Sequence, residues 1–477
     1  MSTLMTATHQ PAIHPKNEPS VWKVVVVAVI GSLLSQLDAT IVNVSLSSLA
    51  HDLKTTLSAI QWVTSGYLLA LALMLPLNAW LVNRLGPRRL YLISFTCFVA
   101  TSALCGFAWS PASLIAFRVL QGMCGGLLAP LAQMMIARAA GRDMARIMGY
   151  ATAPILLGPI LGPVIAGLIL QHADWRWLFF VNLPVGALGV VLAMLFLPKD
   201  ETGFRSTAFD LQGFLLLAPA LVLFLYSTDH IRETTGIALM SIAVIFLACF
   251  VRAALRKGDE AILDLQLFRG RTFRTATTIQ FLSNGISFAG QMLIPFFLIR
   301  ACGESPSATG LMLTPMGLGM LCSYPMMGVL TQRFGIRRVA FAGSLLSLAA
   351  TLPFLYLSLH GLVASMLAVA LFLRGMGMGA IGIPSISAAY TAVPREQLPM
   401  ATTTLNIVQR LGGHTLTTLL ATFVAWRMGS AARPIVFSGA FALLSAFHIV
   451  QVVATSWLPG KLPTPPVEKL SPDDPRK

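Results

Sequence analysis

The residue best placed to do chemistry is Asp38, because its carboxyl group lies inside a long apolar run. The run covers residues 24–46, VVVVAVIGSLLSQLDATIVNVSL, and is long enough to cross a bilayer as a helix. A charged group near the centre of such a helix costs about 2.5–3.5 kcal/mol to insert. Proton or cation coupling is the usual reason for an acid at that depth, and no other apolar run of this sequence contains Asp or Glu. The pattern therefore predicts one proton-coupling carboxylate.

Arg118 is the predicted partner of Asp38. It lies about six residues inside the end of its own apolar run, and Asp38 lies about eight residues from the corresponding end of the first run. At about 1.5 Å per residue, both side chains should lie roughly 9–12 Å below the same membrane surface. We hypothesise that Asp38 exchanges the proton and that Arg118 adjusts its proton affinity. A purely structural ion pair is the alternative.

Other polar residues in the apolar runs are candidates for the wall of a substrate cavity. Asn406, Arg410 and His414 follow one another at four-residue spacing and so share one face of a helix. Together with Arg374 they would make one wall electropositive, and packing between helices is the alternative. The remaining candidates are Gln61, Tyr67, Gln280, Asn284 and Gln291.

The composition requires a membrane. Of the 477 residues, 56% are hydrophobic and only 11% are charged, and the mean hydropathy is +0.76, whereas soluble domains carry about 25% charged residues. The net charge of +15 does not indicate nucleic-acid binding, because the basic residues stand in short loops between apolar runs. Fourteen runs have the length of a spanning helix, namely 24–46, 60–82, 90–109, 112–136, 147–171, 177–197, 211–228, 236–255, 277–300, 309–331, 338–359, 364–391, 402–424 and 434–456.

The distribution of basic residues predicts the orientation. With the N-terminus inside the cell, 24 of the 33 Lys and Arg residues face the cytoplasm, six face the outside and three lie within runs. Cytoplasmic loops carry the excess of Lys and Arg, so both termini are predicted to be cytoplasmic. The sequence has no phosphate-binding loop and no HExxH, GxSxG or cysteine-pair motif. We therefore do not expect ATP hydrolysis, a metal site or enzymatic catalysis.

A basic loop motif occurs twice. Residues 79–89, AWLVNRLGPRR, correspond to residues 328–338, GVLTQRFGIRR, at an offset of 249 residues. A repeat on this scale indicates a transporter built from two related halves, with the substrate site between them near the midplane. The residues of the two loops, expected to act as cytoplasmic gate hinges, are Asn83, Arg84, Gly86, Arg88, Arg89, Gln332, Arg333, Gly335, Arg337 and Arg338.

These features resemble the major facilitator superfamily, and more narrowly the fourteen-span drug:proton antiporters typified by QacA and EmrB. The resemblance covers nearly the whole chain. Its antiporter motif in the fifth run comprises Pro154, Gly158, Pro159, Gly162 and Pro163, and such small residues let helices approach closely. The similar blocks are LDATIVNV at 37–44, LVNRLGPRR at 81–89, RVLQG at 118–122, GPILGP at 158–163 and, more loosely, WRW at 175–177 with Phe179, Asn182, Pro184 and Gly186.

The resemblance implies an all-α major facilitator fold of fourteen transmembrane helices. Two six-helix halves, 24–200 and 259–456, would flank two linker spans in 201–258, with cytoplasmic segments at 1–23 and 457–477. It implies a proton-coupled antiporter of the bacterial inner membrane that exports lipophilic or amphipathic small molecules by alternating access. Such a transporter would act as a monomer within the lipid bilayer and use the proton gradient without a cofactor. Export of one specific metabolite is the alternative function.

The sequence departs from the family pattern in two places. The loop motif usually carries an acid where this chain has Asn83 and Gln332, so the usual ionic latch cannot form. The position 249 residues after Asp38 is Ser287, so the second half lacks a matching acid. We therefore expect monovalent, neutral or anionic substrates rather than dications.

Overall fold

The computed structural model describes residues 21–155, 157–200, 208–231, 233–428 and 432–460, and within these ranges the chain is helical without any strand. Most of the predicted terminal segments 1–23 and 457–477 lies outside them. The first eleven helices are α1 (Val21–Val44), α2 (Leu46–Asp52), α3 (Leu57–Ile60), α4 (Trp62–Met74), α5 (Leu77–Leu85), α6 (Pro87–Gly106), α7 (Pro111–Ala140), α8 (Met144–Ile155), α9 (Leu157–His172), α10 (Trp177–Phe180) and α11 (Asn182–Phe196). The other ten are α12 (Leu211–Asp229), α13 (Thr234–Lys257), α14 (Arg271–Arg300), α15 (Pro306–Met312), α16 (Thr314–Phe334), α17 (Ile336–Thr351), α18 (Pro353–His360), α19 (Ala364–Thr391), α20 (Leu398–Met428) and α21 (Arg433–Ser456).

Helix occupies the described part of every predicted span, but only twelve described segments are long and apolar enough to cross a membrane. The two predicted spans that do not meet this standard are 147–171 and 402–424. In the first, α8 and α9 lie on either side of residue 156, which is outside the described residues, and the apolar helix found there covers only Leu161–His172. The second lies in α20, a helix of 31 residues whose middle carries Gln, Arg and His side chains. The count of fourteen spans is therefore not confirmed by length and hydropathy.

The repeated basic motif has the same backbone conformation in both halves. Gly86 separates α5 from α6 with φ 85° and ψ 150°, and Gly335 separates α16 from α17 with φ 83° and ψ 154°. This part of conformational space is almost closed to residues that carry a Cβ atom. Glycine is therefore required at both positions for the tight turn between consecutive helices.

The helices pack as two bundles that meet along an interface. In the first half α1 contacts α7, α9 and α11, and in the second half α14 contacts α19, α20 and α21. The halves meet where α8 packs on α16 and where α20 packs on α5 and α7, while α12 lies against both α4 and α20. Large apolar side chains such as Val164, Leu195 and Leu255 are more than half exposed. Such a surface suits contact with lipid, and the chain is a multi-pass membrane protein.

Candidate functional site

Asp38 and Arg118 form a fully buried ion pair between α1 and α7. Nη1 of Arg118 donates to Oδ2 of Asp38 at 2.6 Å, and neither side chain has exposed area. Oδ1 of Asp38 accepts two further bonds, from the amide of Gln121 at 3.1 Å and from the amide of Asn182 at 2.8 Å. The predicted pairing of Asp38 with Arg118 is thus present, and α11 contributes a third partner.

Arg118 is oriented by further contacts within the first half. Its Nη1 also donates to Oε1 of Gln121 at 2.8 Å, and its Nε donates to the carbonyl of Val63 at 3.3 Å. The guanidinium carbon lies 4.2 Å from the ring centroid of Tyr67, a cation–π contact. The hydroxyl of Tyr67 in turn lies 3.3 Å from that of Ser35 on α1. These contacts hold Arg118 on the first half whether or not it pairs with the carboxylate.

The polar contacts on the Asp38 carboxylate all come from hydrogen-bond donors. A protonated carboxyl group needs an acceptor for its own hydrogen. Gln121 could offer its carbonyl oxygen only by turning its amide over, which would break its bond from Arg118. Asn182 also donates to the hydroxyl of Ser102 at 3.0 Å, and turning its amide over would break that bond too. Protonation of Asp38 therefore requires at least one partner to move.

The small residues of the antiporter motif bring α9 against α1 on both sides of the ion pair. A Cβ atom on Gly158 would lie 2.9 Å from Cβ of Gln36, and one on Gly162 would lie 2.1 Å from Oγ1 of Thr40. Oγ1 of Thr40 also donates to the carbonyl of Gly158 at 3.4 Å. The segment of α1 that carries the carboxylate thus has little freedom to move independently of α9. The prolines of the motif are Pro154 in α8, Pro163 in α9 and Pro159, whose side chain lies outside the described residues.

The two halves are hydrogen-bonded at one end, which we call the basic end because loops 84–89 and 333–338 lie there. Oε1 of Gln133 near the end of α7 accepts a bond from the hydroxyl of Tyr390 at 2.9 Å and one from the amide of Asn406 at 3.0 Å. The amide of Asn78 donates to the hydroxyl of Thr403 at 3.0 Å. These contacts close the interface at the basic end.

The first basic loop is held by an acid, Asp200, that follows α11. Its carboxylate accepts the backbone N–H groups of Arg88 at 2.8 Å and Arg89 at 3.0 Å, in the first turn of α6. Negative charge is favourable at a helix N-terminus. The side chain of Arg88 donates to the carbonyl of Met194 at 2.6 Å. Because all these groups belong to the first half, Asp200 does not replace the missing latch between the halves.

The second basic loop does reach across the interface. The amide of Gln332 donates to Oδ1 of Asp143 at 3.1 Å, so an amide–carboxylate bond occupies this point instead of an ion pair. Asn83 makes no side-chain hydrogen bond with the part of the chain that the structure describes. Of the other loop cations, Arg84 lies over the ring of Trp80, Arg333 over that of Phe334, and Arg337 and Arg338 are exposed.

Arg374 is buried among the helices of the second half. Its Nη1 donates to the hydroxyl of Thr351 on α17 at 2.8 Å, and its Nη2 donates to the carbonyl of Ile286 on α14 at 3.2 Å. Nε2 of His448 on α21 lies 3.4 Å from Nη1. Arg374 therefore points into its own bundle and not toward the interface between the halves, where a substrate wall was predicted.

The site around Arg374 corresponds to the site around Arg118 without its acid. Arg374 follows Arg118 by 256 residues, and Ser287 stands 249 residues after Asp38. A Cβ atom on the nearby Gly290 would lie 2.2 Å from Nη2 of Arg374. The absence of a side chain at Gly290 leaves room for the guanidinium. None of the four ion pairs among the described residues includes Arg374.

The predicted amide candidates fall into two groups. Gln280 is buried and bonded within the second half, with its oxygen accepting from Gln409 at 2.7 Å and from the amide of Asn284 at 3.3 Å. Gln291 is exposed and donates one turn back along α14, and Gln61 is exposed at the junction of α3 and α4. Their role in substrate binding stays a prediction.

The predicted polar face of α20 looks out of the second half. Asn406 bonds to Gln133 on α7, and Arg410 follows Asn406 by one turn on the same face. Nδ1 of His414 lies 3.3 Å from the hydroxyl of Thr228 on α12. The three residues thus share a face, as predicted, and this face meets the first half and α12. No group of three or more His, Cys, Asp or Glu side chains in the described ranges could hold a metal ion.

Several residues of the site were not predicted as such. Gln121 lies one turn after Arg118, a spacing that already indicates contact. Asn182 belongs to one of the blocks of the family resemblance, and its role could have been proposed from there. Gln133 and Asp200 carry no comparable signal in the sequence, because their partners belong to distant segments.

Comparison with known proteins agrees with this architecture. The chain matches a family model described as Major Facilitator Superfamily over residues 28–256 and 276–476. It is 32% identical over 417 residues to a multidrug resistance protein B homolog of Mycobacterium tuberculosis, covering 84% of this chain and 76% of that protein.

Two solved structures share the fold. The proton:xylose symporter XylE superimposes with a TM-score of 0.65 at 13% identity, covering 93% of this chain and 97% of that one. The human organic anion transporter MFSD10 superimposes with a TM-score of 0.64 at 16% identity, covering 92% of this chain and 100% of that one. These comparisons confirm the resemblance seen in the motifs and indicate a transporter rather than an enzyme. The chain belongs to the Major Facilitator Superfamily.

Proposed function

We propose that this protein is a proton-coupled antiporter that exports several unrelated lipophilic or amphipathic compounds by alternating access. The observation that carries the proposal is the buried Asp38 carboxylate, whose hydrogen-bond partners are all donors. A proton on this carboxyl group cannot be accommodated without movement of a partner side chain, and we infer that this movement links protonation to conformation. The name of the M. tuberculosis relative supports multidrug export.

The packing supports a route from the carboxylate to the rest of the protein. Protonation removes the charge that holds Arg118, and α1 then loses its strongest tie to α7. Movement of α1 must carry α9 with it, because Gly158 and Gly162 leave no gap between the two helices. Helix α9 contacts α8, which packs on α16 of the second half. The proton site and the interface between the halves are therefore connected through adjoining helices.

We assign the described conformation to the outward-facing state. The hydrogen bonds described between the halves lie at the basic end, and the positive-inside rule places that end in the cytoplasm. In the transport cycle a proton from outside would bind to Asp38 and favour the return to the inward-facing state. Release of that proton to the cytoplasm would then favour binding and export of the next substrate molecule.

We infer the following arrangement of spans. Helices α8–α9 and α20 complete fourteen spans, with six in each half, 24–200 and 259–456, and two in the linker 201–258. Both termini are cytoplasmic, the membrane is the bacterial inner membrane, and one chain is the functional unit. Energy comes from the proton gradient.

Everted membrane vesicles from a host without its own drug pumps test the proposal. An imposed pH gradient should drive uptake of several unrelated lipophilic dyes by the wild-type protein, and Asp38→Asn should abolish it. The matched control is Asp174→Asn, which removes one carboxylate from a partly exposed ion pair with Arg176. Gradient-driven uptake that persists in Asp38→Asn would refute the coupling role. Transport of a single compound from the panel would instead favour the specific-metabolite exporter.

A further inference from the structure

Arg410 is a cation at the interface of the two halves that has no carboxylate partner among the described residues. It is half-buried, and the hydrogen bonds and ion pairs found among the described residues do not include its guanidinium. An unpaired guanidinium in a partly desolvated place is unfavourable until an anion pairs with it.

Arg410 lies near the middle of its helix, at the interface between the halves. Arg410 is the thirteenth of the 31 residues of α20, so it lies close to the middle of the helix. One turn toward the basic end, Asn406 is hydrogen-bonded to Gln133 across the interface. Toward the opposite end no hydrogen bond between the halves is found among the described residues. Arg410 therefore lies just beyond the hydrogen-bonded part of the interface, and its four-residue spacing from Asn406 places it on the helix face that meets the first half.

The surroundings of Arg410 do not suit a cationic substrate. Asp38 is the only carboxylate that the structure describes inside a span, and three donors already occupy its two oxygens. The charge of Arg118 is balanced by that same carboxylate. The net charge that the central interface presents to a substrate is thus the positive charge of Arg410.

We propose that Arg410 binds the anionic group of the substrate, and that the preferred substrates are amphipathic organic monoanions such as aromatic carboxylates. The planar guanidinium can hold a carboxylate with two parallel hydrogen bonds. The apolar body of the substrate would then occupy the space between the halves. This inference rests on the proposed transport function and names the substrate class of the same site.

Binding of a matched pair of probes to the purified protein tests this directly. The probes are radiolabelled 1-naphthaleneacetate and its neutral amide, which share size and ring system. The wild-type protein should bind the acid at pH 7.5 at least about tenfold more tightly than the amide, as expected for hydrogen bonds to a charged group. In Arg410→Gln the two affinities should become equal through weaker binding of the acid alone. Arg300→Gln, which removes an exposed cation at the end of α14, should keep the wild-type preference.

The outcomes separate this inference from the proposed function. Equal affinities of the wild-type protein for acid and amide overturn the role of Arg410 without any variant. If Arg410→Gln does not fold, Arg410→Lys keeps the charge and should keep a preference for the acid, and loss of that preference counts against the proposal. Gradient-driven uptake of neutral dyes without acid preference overturns only the inference. Arg410-dependent acid binding without gradient-driven uptake overturns only the proposed function.

Discussion

Removing Asp38 and removing Arg118 from the buried ion pair should lower the stability of the protein in different ways. In Asp38→Asn the guanidinium of Arg118 stays charged in a place without exposed area, because arginine does not lose its proton in proteins. In Arg118→Gln the abandoned carboxyl group can instead take up a proton and become neutral. The two single variants and the double variant form a thermodynamic cycle that separates the pair from its surroundings.

The expected losses in the free energy of unfolding follow from the structure. Removing one partner of a buried ion pair costs about 3–5 kcal/mol, and Nη2 of Arg118 already lacks a hydrogen-bond partner among the described residues, so Asp38→Asn should reach the upper part of that range. Arg118→Gln should cost about as much at pH 8 but progressively less as the pH falls. The double variant leaves no uncompensated charge, and its loss should be smaller than the two single losses together by about 2–3 kcal/mol.

Equilibrium unfolding in mixed detergent micelles between pH 5 and pH 8 measures these differences. Asp174→Asn is the control, because a partly exposed ion pair contributes at most about 1 kcal/mol. If the loss of stability in the double variant equals the sum of the two single losses within about 0.5 kcal/mol, the two groups do not interact. A stability of Arg118→Gln that does not depend on pH would refute proton uptake by the abandoned carboxyl group.

Three further predictions concern the helix contact, the interface and the linker. Gly162→Ala places a methyl group 2.1 Å from Oγ1 of Thr40 and should lower both unfolding temperature and export, whereas Gly167→Ala, whose Cβ meets nothing within 4 Å, should change neither. Gln133→Ala removes two hydrogen bonds between the halves, each worth about 0.5–1.5 kcal/mol, and distances between spin labels at the basic end should show the closed state depleted roughly 5- to 150-fold relative to the open one. Burial opposes ionisation of Asp210, but hydrogen bonds from a lysine and two backbone N–H groups outweigh it and lower the pKa of Asp210 below 3.8. A lowered folded-state pKa gives stability that is complete above the unfolded-state pKa and is lost as the pH falls through the folded-state value, so Asp210→Asn should weaken the acid dependence of the unfolding temperature.

Each of these predictions has a contrary result. Equal losses in the two glycine variants would mean that contact with α1 is not what makes Gly162 necessary. Unchanged label distances in Gln133→Ala would mean that these bonds do not hold the basic end closed. An acid dependence that is the same in Asp210→Asn and in the wild-type protein would assign it to other carboxylates.

Much of the fold could be predicted from the sequence because membrane spans are encoded locally. An apolar run predicts a helix regardless of which neighbours the helix packs against. Glycine at positions 86 and 335 predicts the same turn in both halves. Depth along a helix also follows from residue counting, which is why Asp38 and Arg118 were expected to meet. The hydropathy of α20 is less decisive, because its polar side chains face other helices instead of lipid.

The partners that complete the site could not be predicted in the same way. Asn182 lies 144 residues from Asp38 in the sequence, and no local pattern specifies which helices become neighbours. Gln133 is an ordinary amide until the two halves dock. The direction in which Arg374 points depends on its helix rotation, since both a cavity wall and a bundle interior are consistent with its position in the sequence.

The two halves hold their buried arginines differently, and this difference locates the coupling. Arg118 is balanced by a carboxylate, a group that becomes neutral when it takes up a proton and so can release its partner. Arg374 is held by a hydroxyl, a backbone carbonyl and an imidazole nitrogen that must act as acceptor because arginine only donates. Neither the hydroxyl nor the carbonyl changes charge, so these two contacts of Arg374 do not respond to a proton. The first half thus holds its buried arginine through a contact that a proton can break, whereas the second half holds its arginine through a hydroxyl and a carbonyl that a proton leaves unchanged. Arg410 on α20 extends from the second half toward the first.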